Sequence, residues 1–313
     1  MINKSEFYID SNNKKNKLHI MMWQPDGPIQ GILQISHGMI EYIERYDDFA
    51  RYLAQKGFLV IGNDHLGHGK SVLNEEEFGY FSATDPSKTV VQDLYKVTHL
   101  IKSKYPNIPY FLLGHSMGSF MARRYLMTYG NELDGAIIMG TGEQPYIALG
   151  TGQLLIRLIK LFKPDNYRSL LLEKACFGSY NRHFKPQRTK CDWLSQDTEV
   201  VDAYMKDPFC SFIFTLNGYQ TLFSTLGFIK RSSHIKQIPP TLPIMMVAGK
   251  EDPVGNYGKS VTKVYNRYRK AGIQNISLKL YENDRHELIN ELDKAQVYQD
   301  IYTWVNTQLL ELK

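Results

Sequence analysis

Cysteine is scarce in this chain, and long apolar runs are missing. The three cysteines, Cys176, Cys191 and Cys210, are odd in number and show no C-x-x-C spacing, which argues against a disulfide framework and against a zinc site. No stretch approaches the ~18 consecutive apolar residues that a spanning helix needs. The opening residues, Met1 to Ile20, carry no apolar block of the secretory kind, so a cytoplasmic, non-spanning protein is expected. Internal repeats and low-complexity tracts are also absent, which removes solenoids and repeat arrays. What is there is ordinary globular composition: 313 residues, 43% hydrophobic and 22% charged, enough to bury a full core.

A dominant charge of one sign is lacking as well. The net charge is +5, yet residues 151–190 hold nine Lys/Arg (Arg157, Lys160, Lys163, Arg168, Lys174, Arg182, Lys185, Arg188, Lys190) against Asp165 and Glu173. That local +7 exceeds the total and leaves −2 for the remainder. A general nucleic-acid-binding surface is therefore disfavoured. The charge sits as a basic patch on a near-neutral body.

Short apolar runs bounded by Gly, Pro or Asn alternate with longer helical patterns, the signature of a mostly parallel sheet covered on both faces. Strands are predicted at Gly31–Ser36, Phe58–Gly62, Tyr110–Gly114, Gly135–Met139, Ile244–Ala248 and Ser277–Tyr281. Glu6–Ile9 and Leu18–Trp23 flank a polar SNNKKNK stretch and are read as an antiparallel hairpin on the sheet edge. Helical patterns lie near 43–56, 87–104, 117–129, 257–270 and 293–311. The βα rhythm breaks between about 143 and 238, where the chain is helical, aromatic and basic. An α/β catalytic domain of residues 1–142 and 238–313 is expected, interrupted by a helical cap at 143–237. Within that insertion, GQLLIRLIKLFKP predicts a helix over 153–162 stopped by Pro164.

Chemistry concentrates at Gly114-His115-Ser116-Met117-Gly118, a G-x-S-x-G between a predicted strand and a predicted helix. A serine on a sharp strand-to-helix turn needs small residues on both sides, and the turn exposes its Oγ above the sheet edge. His37-Gly38-Met39 follows the strand Gly31–Ser36, where an acyl hydrolase needs a backbone N–H aimed at the oxyanion. Serine also needs a base oriented by a carboxylate, and in this architecture the order is Ser, Asp, His at later strand ends. Asp252 and His286 meet that requirement. Asp284 is too near His286 in the chain to orient its ring easily, and Glu251 points elsewhere on a turn. Of the nine histidines, His37 and His115 are expected to make supporting hydrogen bonds. A metal reading of Asp64, His65 and His68 is disfavoured because the intervening glycines suit a tight turn and serine chemistry needs no ion or cofactor.

These residues resemble the α/β-hydrolase superfamily, and within it the monoacylglycerol lipase and lysophospholipase group. His37-Gly38-Met39-Ile40-Glu41 is similar to that group's HGxxE loop, Asn63 to Ser71 to its D-x-x-G-H-G-x-S segment, and Gly114–Gly118 to its GHSMG elbow; Asp252-Pro253-Val254 and His286-Glu287 complete the set. The resemblance covers roughly 15–142 and 238–311 and is weak across the insertion. It implies an eight-stranded, mostly parallel sheet flanked by helices, with a helical cap after the sixth strand. It also implies oxyanion donors at the backbone N–H groups of Met39 and Met117, and a cap over an acyl-chain tunnel. Tyr42 departs from the histidine many relatives carry after the Glu of HGxxE.

The expected activity is a serine carboxylic-ester hydrolase acting on lipid-like monoacyl esters, monoacylglycerol or lysophospholipid, through an acyl-enzyme. Small-ester esterase or thioesterase, a proline-iminopeptidase-type aminopeptidase and a non-catalytic hydrolase-fold binding module are the alternatives. Tyr146, Leu154, Leu155, Leu158, Phe162, Phe177, Phe209, Phe212 and Phe214 are the residues from which an apolar pocket would draw, most of them being expected in the core. The basic segment 151–190 suggests peripheral association with an anionic lipid surface.

Overall fold

In the computed structural model, which describes residues 2–312, eight strands form one sheet in the order β1-β2-β4-β3-β5-β6-β7-β8. They are β1 Asn3–Asp10, β2 Lys17–Gln24, β3 Gly31–Ser36, β4 Phe58–Asn63, β5 Tyr110–His115, β6 Gly135–Met139, β7 Ile244–Gly249 and β8 Ile276–Tyr281. Strand β2 runs antiparallel to both β1 and β4, and all other pairs are parallel. The expected edge hairpin is present and longer than its apolar runs. Pairing continues from Ile9 and Leu18 to Asp10 opposite Lys17, because the Ser11 N–H closes the turn on the Asn16 carbonyl at 2.9 Å.

The central strands are buried on both faces, and their side chains divide by strict alternation. Ile32, Tyr110, Leu112, Ala136, Ile138, Ile244 and Met246 join one apolar cluster. Leu33, Ile35, Phe111, Leu113, Ile137, Met139, Met245 and Val247 join the other. Helices α1 (Asp47–Gln55) and α10 (Lys294–Glu311) cover the second face through Phe49, Leu53, Val297, Ile301 and Val305. The first is covered by α2 (Pro86–Lys104), α3 (Met117–Tyr129) and α9 (Lys259–Lys270). Two predicted helices are shorter than their patterns. Ile43–Tyr46 forms a separate 3-10 turn before α1, and α9 starts at Lys259 because Asn256, Tyr257 and Gly258 have φ of 48°, 55° and 80°, outside the helical region.

Between β6 and β7 the chain leaves the sheet for five helices: α4 (Tyr146–Lys160), α5 (Leu170–Phe177), α6 (Thr198–Lys206), α7 (Leu216–Ile229) and α8 (Ser232–Ile235). Helix α4 begins seven residues earlier than its leucine-rich pattern suggests. Glycines within 146–152 argue against a helix there, but Gly152 has a packing role: a Cβ on it would lie 2.6 Å from the Phe223 ring of α7. Among the described residues no helix is long and apolar enough to cross a membrane.

Candidate active site

The β5–α3 turn forces Ser116 into φ 52°, ψ −121°, a conformation that an L-residue adopts only under constraint from its surroundings. The constraint is visible. The Ser116 N–H is tied to the Met139 carbonyl of β6 at 3.0 Å, while α3 starts at the next residue. Gly114 and Gly118 let the turn close: a Cβ on Gly118 would sit 2.0 Å from the Ser36 carbonyl oxygen and 2.4 Å from that of His37, and one on Gly114 would sit 2.4 Å from the Gly118 carbonyl oxygen. Both clashes are with backbone, which cannot rotate away. Gly118→Ala is therefore expected to destabilise the fold by about 3 kcal/mol or more and to displace the serine; a lowered thermal midpoint with lost ester turnover checks it.

The loop after β3 is fixed from below. His37 Nδ1 donates to the Gly38 carbonyl at 2.8 Å, and its Nε2 accepts the His65 N–H at 2.9 Å, which defines its tautomer. Glu41 captures the Gly38 N–H, accepts from the Tyr46 hydroxyl at 2.9 Å, meets His115 Nδ1 at 3.0 Å and accepts from Arg45 at 3.1 Å. Burial would raise the Glu41 carboxyl, but the His115 hydrogen bond and the charges of His115 and Arg45 outweigh it and hold it well below the usual carboxylate range. Burial would lower His115, and Glu41 reverses that, raising it. Arg45 then forks onto Glu287 through two 2.8 Å bonds, joining this loop to the residue after His286. Met39 and Met117 border the same cavity as Ser116, and the Met117 N–H belongs to the first turn of α3, where no intrahelical acceptor exists.

His286 and Asp252 come together across the ends of β7 and β8. His286 Nδ1 lies 3.0 Å from Asp252 Oδ2, and Asp252 Oδ1 accepts the Val254 N–H at 2.8 Å. Both residues are buried. The rivals sit elsewhere: the Asp284 carbonyl accepts the Glu251 N–H at 2.9 Å, and the Asp284 carboxyl faces Asp293. Burial, then the charges of Asp293 and Glu291, push that carboxyl up to about 7. A carboxyl raised on folding holds a proton that the unfolded chain has already released above about pH 4, so stability falls as pH rises from there to about 7. Asp284→Asn is expected to shrink the loss of thermal midpoint between pH 5 and pH 8, as melts at both values would show.

Asp64 serves the backbone. Its carboxylate accepts the Ile43 and Lys70 N–H groups at 2.8 Å each and pairs with His19 Nδ1 at 2.8 Å. Burial lowers His65 well below the usual histidine range and His68 to about 3, so both rings are neutral supports beneath the loop. Among the described residues no group of three or more His, Cys, Asp or Glu is arranged to hold a metal ion.

Ser116 and His286 border one cavity of about 870 Å³, a volume in the range of small-molecule sites. Its walls come from the body (Met39, Phe120, Val254) and from the β6–β7 excursion (Leu149, Leu155, Leu172, Phe177, Phe212, Leu222, Phe223, Leu226). All three cysteines line it too. The expected pocket residues divide differently from the sequence pattern. Leu155, Phe177 and Phe212 line the cavity, Phe214 is core, and Phe209 packs against Tyr42 and Phe78. Tyr146, Leu154, Leu158 and Phe162 are exposed, so only one of the nine is fully buried, fewer than expected.

The family model described as serine aminopeptidase, S33, matches residues 27–293. The chain belongs to that family. This S33 member is 27% identical over 293 residues to the monoglyceride lipase of Rattus norvegicus, covering 92% of this chain and 86% of the relative. Among solved structures it is similar to a thermostable carboxyl esterase from Bacillus coagulans, in complex with glycerol, at TM-score 0.91 and 28% identity, covering 99% of this chain and all of that one. A soluble variant of monoglyceride lipase from Saccharomyces cerevisiae, in complex with a substrate analog, shares the fold at TM-score 0.76 and 18% identity over 96% and 94% of the two chains. The protein is thus an α/β-hydrolase-fold hydrolase.

Where this S33 member departs from the HGxxE-His pattern, Tyr42 makes its own contact. Its hydroxyl donates to Asp207 at 2.8 Å, tying the loop after β3 to the excursion. Sequence reasoning missed the roles of Arg45 and Tyr46. The Glu of HGxxE is the available signal for both, since a buried carboxylate demands donors.

Proposed function

We propose that this protein is a serine hydrolase of lipid-like monoacyl esters, monoacylglycerol or lysophospholipid. One observation carries the reading: the strained serine opens on a mostly apolar cavity large enough for an acyl chain. The relationship to monoglyceride lipase supports it. Ser116 attacks the ester carbonyl while His286 takes its proton. Asp252 holds the imidazole tautomer and stabilises the imidazolium, and the Met39 and Met117 amides stabilise the oxyanion. His286 then protonates the leaving alcohol, and afterwards activates the water that releases the acid. Residues 143–237 act as the cap, supplying most of the acyl-chain wall. A p-nitrophenyl ester series from short to long acyl chains, run beside monoacylglycerol and lysophospholipid, tests this. The expected optimum lies at medium or long chains, and a preference for acetate would favour a small-ester esterase instead.

The cap surface supports peripheral binding to anionic lipid. Ile147, Leu161, Phe162, Leu170 and Leu171 are each at least 60% exposed and lie within or beside the +7 segment. Such residues enter the acyl boundary while Lys and Arg meet head groups. Not all nine cations are available: Arg168 donates to the carbonyls of Glu75, Glu76 and Phe78, and Arg188 pairs with Asp202. Co-sedimentation should be stronger with anionic than neutral vesicles and weaken with salt; equal, salt-insensitive binding would sink the idea.

The family description and Glu173 on the cavity wall keep an aminopeptidase as the second reading, since a carboxylate is what a substrate ammonium requires. Lys174 and Lys190 border the same cavity and oppose that role. Turnover of aminoacyl p-nitroanilides at rates matching the esters would favour it.

A further inference from the structure

The loop carrying His286 is held by a strap from the cap. His286 N–H and Glu287 N–H both donate to the Leu194 carbonyl, at 3.1 and 2.8 Å. The Arg285 guanidinium donates to the carbonyls of Asp192 and Ser195. Glu291 accepts from the Gln196 N–H at 2.9 Å, the Ser195 hydroxyl at 3.0 Å and the Arg285 N–H at 2.8 Å. At the centre of this strap, the Trp193 indole packs on the His286 imidazole with ring centroids 5.0 Å apart. Trp193 is itself fixed: its backbone N–H donates to Asn181 Oδ1 at 2.9 Å, and the Tyr180 ring meets its indole edge-on at 4.9 Å.

The single hydrogen bond to Asp252 holds one ring atom of His286 and leaves the imidazole able to swing about its side-chain torsions. Neighbours against the ring remove that freedom. His115 stands 4.8 Å away centroid to centroid, and a Cβ on Gly140 would lie 3.2 Å from the His286 Cε1. Those two come from the catalytic body, and Trp193 comes from the cap.

We propose that Trp193, held by the strap Asp192–Gln196, is a positioning residue that keeps His286 turned toward Ser116. The cap then completes the catalytic machinery as well as the acyl wall, and any opening that admits substrate leaves 192–196 in place. This rests on the serine-hydrolase reading above.

Steady-state kinetics of the full chain on a soluble p-nitrophenyl ester tests it with Trp193→Ala, Trp193→Phe and Arg285→Ala, each melted in parallel and labelled with a fluorophosphonate. Misplacing a catalytic base by an ångström costs up to about 100-fold, so kcat should fall about 10- to 100-fold in Trp193→Ala and Arg285→Ala with KM within about threefold. Trp193→Phe should restore most of it. Arg285 does not border the cavity, so its effect on kcat does not arise from substrate contact. If Trp193→Ala fails to fold, Trp193→Leu, which keeps apolar volume without a flat ring, carries the same expectation. A change in KM alone, an unchanged kcat in folded Arg285→Ala, or a phenylalanine no better than alanine makes Trp193 a pocket wall and overturns the proposal. A wild-type protein without Ser116-dependent labelling or turnover would instead defeat the hydrolase reading.

Discussion

Alanine at Ser116 is expected to lower kcat on a p-nitrophenyl ester by about 10⁴- to 10⁶-fold and to abolish fluorophosphonate labelling. The size follows from what the residue alone supplies. On the proposed mechanism no acyl-enzyme forms without Oγ, and the proposed oxyanion donors and the cavity can assist only direct attack by water. The fold should tolerate the change, because the φ of 52° at this position is imposed by the backbone tie to Met139 and by close packing at Gly114 and Gly118. Alanine inherits that backbone. An unchanged thermal midpoint beside lost labelling would separate chemistry from stability, and ester turnover surviving at near wild-type rate would remove Ser116 as nucleophile.

His286→Ala carries the second large effect, a loss of about three to six orders of magnitude in kcat. Serine is a poor nucleophile near neutral pH unless its proton is accepted as the bond forms, and among the described cavity residues the only other histidine, His115, has both ring nitrogens engaged, with Glu41 and with the His286 carbonyl. The two losses should not add. The Ser116→Ala, His286→Ala double variant is expected within about tenfold of the worse single variant, because residues that act as a unit fail together. A loss below tenfold in His286→Ala would show that another base is used, and an additive double variant would show that the two residues act separately.

How far the chain could be read in one dimension depended on the distance over which each feature is specified. The β5–turn–α3 elbow spans a few residues, and its glycines and serine announce it. The central strands are legible because burial on both faces makes them continuous apolar runs. The short chain between Asp284 and His286 is a local ground against Asp284, and it is the Asp252 carboxylate that lies 3.0 Å from the His286 ring. Helix α4 shows where such reading fails. Its glycines look like breakers until Phe223, some seventy positions away, is seen against Gly152. Leu154 and Leu158 look like core until the packing of α4 on α7 leaves them outside.

The sequence by itself determined the order of the sheet strands and the helices between them, the elbow and the chemical types available at the strand ends, since these depend on period, turn sterics and the spacing of neighbours along the chain. Only the tertiary structure decided which apolar residues between β6 and β7 face the cavity, and that Arg45 bridges Glu41 to Glu287 across 242 positions. It alone set Trp193 against His286. The physical reason is the same in each case: burial and hydrogen-bond partnership are properties of surfaces brought together from distant segments, and no local period encodes which distant surface will arrive.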